Sequence, residues 1–285
     1  MMTLLYWLKD IERSGHLPIC SGNLLFGDKP VSVLMTSTLA NTYPTEQGLA
    51  EIKLEMNKQG YFIATELRFI EPVIDYPLYA KAISSLDKGR LPLFCRFIHL
   101  LEQVTAPELK PFVEFWNAHP EQFEAYLVMS ASYREHHAYK HGLLQHSVEV
   151  AELAYNNAIN LGHSPRECQI ALLAGLFHDL GKVYSQSEAD IATYQTGAHE
   201  CLNFSLIAEP LKSLAIKDWD AHRMLSSMLA PYQKHRSEQY AVESIFRFAD
   251  HASCSSNKTH VLFSGKPAYF RFLKNGEQMI RRLPC

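Results

Sequence analysis

The pattern of apolar and polar positions changes along the chain. Before residue 77, three runs alternate in part between apolar and polar residues: KPVSVLMTS (29–37), GLAEIKLEM (48–56) and GYFIATELRFIEP (60–72). Alternation with a period of two indicates strands, and the NKQG sequence (57–60) has the composition of a hairpin turn. We therefore predict a small antiparallel sheet, preceded by a short helix at the N-terminus.

From about residue 78 to residue 256, the apolar residues recur with the period of a helix. One helix is predicted over residues 143–161, with Gly162 at the position of a C-terminal cap. The next begins with Ser164, Pro165 and Glu167, which form the pattern of a capping box. This second helix is apolar on all sides over residues 170–177, so we expect it to be buried.

A further change follows residue 257. Residues 269–273 alternate like a strand, and Asn275 and Gly276 have the composition of a turn before a second short run. We therefore expect a terminal β-hairpin. The predicted fold is mainly α: a small α+β subdomain with an antiparallel sheet (1–90), an all-helical domain (91–257) and a C-terminal hairpin extension (258–285).

Composition limits the function classes without choosing one. The chain has 285 residues, 47% of them hydrophobic, and a formal net charge of −3, so no global basic surface for nucleic acid or membrane is expected. Its six cysteines are scattered and form no C-x-x-C pair, which favours a reducing cytoplasm. The apolar stretch at the N-terminus is too short for a signal peptide or a membrane span.

The candidate functional residues lie at the end of this apolar helix, where His178 and Asp179 precede Leu-Gly-Lys. A buried carboxylate is costly unless it is hydrogen-bonded or binds a cation. His146 on the preceding helix could reach the same point, since packed helices lie about 8 to 10 Å apart. Asp250 ends another apolar run in the same way. Two imidazoles and two carboxylates from three helices suit a divalent ion such as Mn, Fe, Co or Zn.

These residues also carry a family resemblance. The segments EHHAYKHGLLQHSVEVA (135–151) and LLAGLFHDLGK (172–182), with a later Asp, resemble the H…HD…D motif of the HD superfamily of metal-dependent phosphohydrolases. Two branches are most similar: the TraI-like HD domain of relaxases from integrative conjugative elements, and YhaM-type 3′ to 5′ exoribonucleases. The resemblance covers roughly residues 96–257 and implies an all-helical HD-domain core.

The resemblance implies a role for each matching residue. The implied ligands of a divalent metal (Mn, Fe, Co, Mg or Zn) are His146, His178, Asp179 and Asp250. Lys182 is implied as a phosphate or structural contact, and could instead simply cap its helix. His136 and His137 match a histidine pair typical of both branches, and in protonated form they could stabilise developing charge.

The chain departs from the YhaM-type pattern at one place. His199 matches a further ligand of two-metal members, but MLAPYQKH (228–235) places Pro231 and Tyr232 where another histidine pair is expected. This favours one ion over two, with His222 and His235 as possible substitutes for a second ion or a phosphate contact.

The expected function is a phosphodiesterase or nuclease that attacks single-stranded DNA or RNA with a metal-activated water. A first alternative is a phosphohydrolase of nucleotides or cyclic dinucleotides. A second, from another class, is a non-catalytic HD scaffold or nucleic-acid-binding module in a conjugation or mobile-element assembly.

Overall fold

The computed structural model describes residues 2–13, 16–24, 30–43, 47–133, 135–185, 199–231, 238–275 and 278–283. The chain divides into two compact units, Met1–Leu91 and Pro92–Cys285. The first is built mainly of strands and the second mainly of helices. The prediction of a mainly α protein with β additions at both ends is thus confirmed.

The first unit contains a closed barrel of five strands in the order β1-β2-β3-β5-β4. The strands are β1 (Met2–Glu12), β2 (Ile19–Leu24), β3 (Pro30–Met35), β4 (Gly48–Met56) and β5 (Phe62–Phe69). Helix α1 (Ser37–Thr42) connects β3 to β4, and α2 (Tyr76–Ser85) follows the barrel.

Two predictions for this unit are wrong. The N-terminal segment is a strand and not a helix, because β1 pairs with β2 on one side and with β4 on the other. A short apolar run has no period that separates the two structures, so pairing decides. The sheet is also not purely antiparallel, since Leu34 and Met35 of β3 pair in parallel with Ile63 and Ala64 of β5. That parallel pair closes the barrel.

The predicted hairpin turn over residues 57–60 is confirmed between β4 and β5. The Asn57 side chain accepts hydrogen bonds from the backbone N–H groups of Gln59 and Tyr61, at 3.0 and 2.9 Å. Gly60 has a φ of +86°, a conformation that side chains with a Cβ rarely adopt. The composition of NKQG therefore reflects the backbone geometry of this turn.

The second unit is helical over most of its length. Its helices are α3 (Leu91–Glu102), which begins at the boundary, α4 (Lys110–Ala118), α5 (Pro120–Val128), α6 (Gly142–Asn160), α7 (Pro165–Phe177), α8 (Lys182–Ser185), α9 (His199–Leu206), α10 (Ala208–Lys217), α11 (Trp219–Leu229) and α12 (Ala241–Phe263). Single turns of 3-10 helix cover Lys88–Arg90 and Pro107–Leu109.

The two helices predicted in detail are confirmed. Helix α6 is followed by Gly162 with a φ of +79°, and α7 begins with the complete capping box of Ser164 and Glu167. Every residue from Cys168 to Phe177 is buried. This apolar helix can therefore fix the position of whatever follows it.

The C-terminal hairpin is also confirmed, as β6 (Phe272–Asn275) paired with β7 (Gln278–Arg281). Gly276, which belongs to its predicted turn, lies outside the described residues. Helix α12 runs to Phe263, beyond the predicted end of the helical region near residue 256. Among the described residues, no helix combines the length and apolar character needed to span a membrane.

Candidate metal centre

A glycine sets the distance between α6 and α7. A Cβ atom at Gly175 would lie 2.4 Å from Cα of Ala151, so a larger residue would push the helices apart. This close approach brings the ring of His146 on α6 within 5.0 Å of the ring of His178 at the end of α7, measured between centroids. The sequence GLFHD thus combines the packing residue and the functional residues.

Four predicted side chains converge at the end of α7. Nε2 of His146 lies 3.1 Å from Nε2 of His178, 3.4 Å from Oδ2 of Asp179 and 3.3 Å from Oδ1 of Asp250. Nε2 of His178 lies 3.5 and 3.8 Å from the same two oxygens. We call these four residues the HD cluster. Asp250 is partly exposed, while the other three are buried.

The donor atoms of the HD cluster fit around one divalent ion. Bonds of about 2.0 to 2.2 Å to nitrogen and oxygen separate neighbouring ligand atoms by roughly 3.0 to 3.5 Å. His146, His178 and Asp179 each offer one ligand atom, and these atoms lie within 4.8 Å of one another. Nδ1 of His178 donates to the carbonyl oxygen of Gly175 at 2.9 Å, so its Nε2 presents a lone pair to the cluster.

A second layer of polar groups orients His146. Its Nδ1 lies 3.1 Å from Oγ of Ser253, and the Ser253 hydroxyl donates to Oε2 of Glu149 at 2.7 Å. Gln145 donates to the other oxygen of that carboxylate at 2.8 Å. Burial would raise the pKa of Glu149, but hydrogen bonds from His137, Gln145 and Ser253 lower it to about 2. A carboxylate that fixes the ring of a metal histidine through its other nitrogen strengthens metal binding.

Asp179 is held at both of its oxygens. Lys182 donates from Nζ to Oδ2 at 2.5 Å, and Nε2 of His199 lies 2.8 Å from Oδ1. Burial favours the neutral acid, but the charges of His178 and Lys182 hold the pKa of Asp179 well below its usual value. Lys182 is itself buried, and its ammonium group contacts the carboxylate of Asp179 directly.

The Leu-Gly-Lys turn after the cluster is shaped by α9. A Cβ atom at Gly181 would lie 2.0 Å from the carbonyl oxygen of His199, so only glycine allows this approach. The buried side chain of Asn203 accepts from the backbone N–H of Gly181 at 2.5 Å and donates to the carbonyl oxygen of His178. Asn203 therefore fixes the backbone that carries His178 and Asp179.

The protonation of His146 is set by opposing effects. Burial lowers its pKa, but the carboxylates of Asp179 and Asp250 raise it more, to about 9. The contact with His146 in turn keeps the pKa of Asp250 below its usual value, although burial acts in the other direction. A divalent ion would compete with a proton for Nε2 of His146.

The predicted histidine pair is divided between two places. His136 lines the cavity over the HD cluster, whereas His137 is buried behind His146 and contacts Ser253 at 3.2 Å. Burial and the charges of His146 and Lys182 lower the pKa of His136 to about 4. The lowered pKa favours the neutral ring at pH 7, so the role of His136 as a positive charge stays a prediction.

A cavity of about 210 Å³ lies over the cluster. Besides the HD cluster, the residues that line it are His136, Lys182, His199, Glu200, Met228, Leu229, Ala230, Arg247 and Cys254. Lys182 and His199 are thus brought to the predicted site. His222 does not line this cavity; its ring stacks on Trp219 at 5.1 Å on α11. His235 and Tyr232 lie outside the described residues.

Several side chains of the site were not predicted, although helix spacing from a predicted residue could have indicated five of them. Ser253 and Cys254 follow Asp250 by three and four positions, and Glu149 follows His146 by three, so each pair shares a helix face. Arg247 precedes Asp250 by three positions and Asn203 follows His199 by four, so the same spacing applies to both. Whether such neighbours reach the site depends on how α9 and α12 pack.

Residues 143–252 match the family model described as HD domain. The match includes His146, His178, Asp179 and Asp250 in one helical region, so this part of the chain is similar to the HD superfamily. HD domains bind divalent metals, and the match indicates a metal-dependent hydrolase. No curated protein and no solved structure gives a significant match to the chain.

Proposed function

We propose that the chain is a metal-dependent phosphodiesterase that hydrolyses single-stranded nucleic acid. The observation that carries the proposal is the convergence of two imidazole nitrogens and two carboxylate oxygens, 3.1 to 3.8 Å apart, below an open cavity. A divalent ion held by these ligands would supply a water of lowered pKa and polarise a phosphoryl oxygen.

The residues of the chain around the HD cluster have separate tasks in this proposal. Ser253 and Glu149 fix the ring of His146, and Lys182 and His199 fix the carboxylate of Asp179. Arg247 lines the same cavity and provides a guanidinium group for the phosphate of a substrate.

The volume of the cavity supports a polymer over a small substrate. Ligand pockets that enclose a small molecule usually measure about 300 to 1,000 Å³, whereas this cavity measures about 210 Å³. It can take a phosphodiester group with the rest of the strand outside. A nucleotide or cyclic dinucleotide would be only partly enclosed.

The barrel of the first unit supports the same substrate class. Its strand order, parallel β3–β5 pair and helix between β3 and β4 form the topology of the OB-fold, which often binds oligonucleotides. At the β4–β5 turn, Tyr61 and Phe62 are 60% and 49% exposed, next to exposed Lys58. Exposed aromatic rings beside a cation can stack on the bases of a single strand.

The finer family assignment is part of this proposal. Both the TraI-like and the YhaM-type branches act on nucleic acid, and either agrees with the substrate proposed above. The described cysteines are free thiols, which supports the expectation of a cytoplasmic protein.

The experiment is a hydrolysis assay with Mn²⁺-loaded protein. Labelled single-stranded RNA and DNA are compared with nucleoside triphosphates and cyclic dinucleotides, and Asp179→Asn is the control variant. We expect cleavage of single strands that Asp179→Asn abolishes. Cleavage of small compounds alone would instead favour the nucleotide phosphohydrolase, and metal uptake without any turnover would favour a non-catalytic scaffold.

The barrel is tested separately, by strand binding without hydrolysis. Replacing Tyr61 and Phe62 by Ala should weaken binding of single-stranded nucleic acid by about tenfold or more, because each stacked base contributes about 1 to 3 kcal/mol. Trp219→Ala, which removes another exposed aromatic residue, should leave binding unchanged. Equal losses in both variants would remove the support from the barrel.

A further inference from the structure

A second group of potential metal ligands adjoins the HD cluster. His136, His146 and Cys254 each offer one ligand atom, and these atoms lie within 4.8 Å of one another. Bonds of about 2.0 to 2.3 Å place two ligand atoms of one ion at most about 4.6 Å apart. His136 and Cys254 therefore lie close enough to share an ion after small side-chain rotations.

One ring nitrogen of His136 is available to bind a ligand. Its Nδ1 is buried and has no hydrogen-bond partner among the described residues. A buried ring nitrogen without a partner loses the hydrogen bonds that it makes in water. A metal ion in this part of the cavity would give the imidazole a partner.

Asp250 connects Cys254 to the HD cluster. Cys254 follows Asp250 by one helical turn on α12, and its Sγ lies 3.6 Å from Oδ1 of Asp250. The same oxygen lies 3.3 Å from Nε2 of His146. Carboxylates commonly join the two ions of dinuclear hydrolases, which lie about 3.5 to 4 Å apart. Asp250 stands where such a bridging carboxylate is needed.

One nitrogen of His146 cannot bind two ions, so the two groups must divide their ligands. The first ion takes His146, His178 and Asp179. His136 and Cys254 are left for a neighbouring ion, with Asp250 shared between the two. Three protein ligands also leave a coordination position open for water or substrate, as in catalytic metal sites.

We propose that His136, Cys254 and the shared carboxylate of Asp250 hold a second divalent ion beside the ion of the HD cluster. The inference rests on the proposed function, because it assumes that the HD cluster binds the first ion. Sulfur selects a softer metal, so the second position should take Zn²⁺, Co²⁺ or Fe²⁺ in preference to Mg²⁺ or Mn²⁺. On binding, the S–H bond breaks, the sulfur donates the electron pair to the ion and the proton passes to solvent.

The second position also changes the interpretation of the sequence. Pro231 and Tyr232 stand where two-metal relatives of the YhaM type are expected to carry histidines. The thiol of Cys254 and the ring of His136 would supply the missing ligands from α12 and from the segment before α6. The nuclearity of the site then depends on Cys254 and not on the 228–235 segment.

The test is a Co²⁺ titration of the full chain with reduced thiols, followed by absorption spectroscopy. Coordination of Co²⁺ by a thiolate produces a ligand-to-metal charge-transfer band in the near ultraviolet, while nitrogen and oxygen ligands give only weak visible bands. We expect about two Co²⁺ ions per wild-type chain and a charge-transfer band. Cys254→Ser should bind about one ion and lose that band but keep the visible bands.

Matched variants make the outcomes distinguishable. Cys95→Ser removes another half-buried thiol and should behave like the wild type, and His136→Asn should lose the second ion without loss of the first. Visible bands without a charge-transfer band in the wild type, or an unchanged band in Cys254→Ser, would overturn the second position alone. Absence of any Co²⁺ binding would overturn both this inference and the proposed function.

Discussion

The two units of the chain have different interiors. The described buried side chains of the barrel unit are apolar or aromatic with one cysteine, as at Met35 and Ile52. The helical unit buries charged and polar groups among its apolar residues, including Asp179, Lys182 and Ser253. The hydroxyl of Ser253 donates a hydrogen bond to Glu149. An interior that serves only folding needs no such groups, since each is costly without a partner.

This contrast shows where the second unit contains buried groups that cost stability but can serve a chemical site. The HD cluster concentrates two carboxylates and two imidazoles at the end of a helix that is otherwise apolar. Such a group is stable only while its members pair with one another or with a cation. The same substitution should therefore have different consequences in the two interiors.

The largest effect is expected for His178→Ala in the helical unit. Loss of a direct ligand should lower the affinity for Mn²⁺ by more than about 100-fold, beyond the effect typical of outer groups. Isothermal titration calorimetry measures the affinity, and circular dichroism checks the fold. Unchanged affinity in a folded variant would show that His178 is not a ligand.

Truncation of a buried side chain in the barrel should lower stability without changing the metal affinity. Ile52 is fully buried, so Ile52→Ala should lower the free energy of unfolding by about 2 to 5 kcal/mol. Its affinity for Mn²⁺ should stay at the wild-type value. Urea denaturation and calorimetry on the same preparation compare the two quantities, and a parallel loss of metal affinity would remove the distinction between the units.

A smaller effect is expected when the support of His146 is removed. Ser253→Ala deletes the hydroxyl between Nδ1 of His146 and Glu149, so metal affinity should fall by about 10- to 100-fold. Ser256→Ala, three positions along the same helix, is the matched control. If both variants bind Mn²⁺ like the wild type, the second layer does not orient the ring.

The smallest expected effect is the change in metal affinity per unit of pH. The pKa of His146 is raised from its ordinary 6.5 to about 9, so the ring is protonated at pH 7 and an ion must displace that proton. Affinity for the metal should therefore rise by up to about tenfold per pH unit below pH 9 and level off above it. Proton release is measured by calorimetry in buffers with different ionisation enthalpies; no release at pH 7 would contradict this assignment.

The sequence predicts the helical unit better than the barrel, for physical reasons. The capping box at Ser164 and the apolar residues around Ala171 are local signals, and His178 with Asp179 follows directly from them. Strand β1 depends on partners far along the chain, and a run of apolar residues does not distinguish a strand from a helix. Long-range pairing also determines the closure through β3 and β5.

Within the site, the residues that precede or end apolar helices were predicted, whereas the residues that support them were not. The placement of Asn203 depends on the packing of α9 against Gly181, which leaves no periodic trace in the sequence. The lowered pKa of His136 likewise follows from burial in the folded chain and not from its residue type.

The central claim is that the HD cluster holds a divalent ion. The most direct measurement is the Mn²⁺ content of the wild type and of Asp179→Asn after dialysis, determined by elemental analysis on folded protein. We predict about one tightly bound ion per wild-type chain and essentially none in Asp179→Asn. Equal metal content in the two proteins, or no ion in the wild type, would contradict the account.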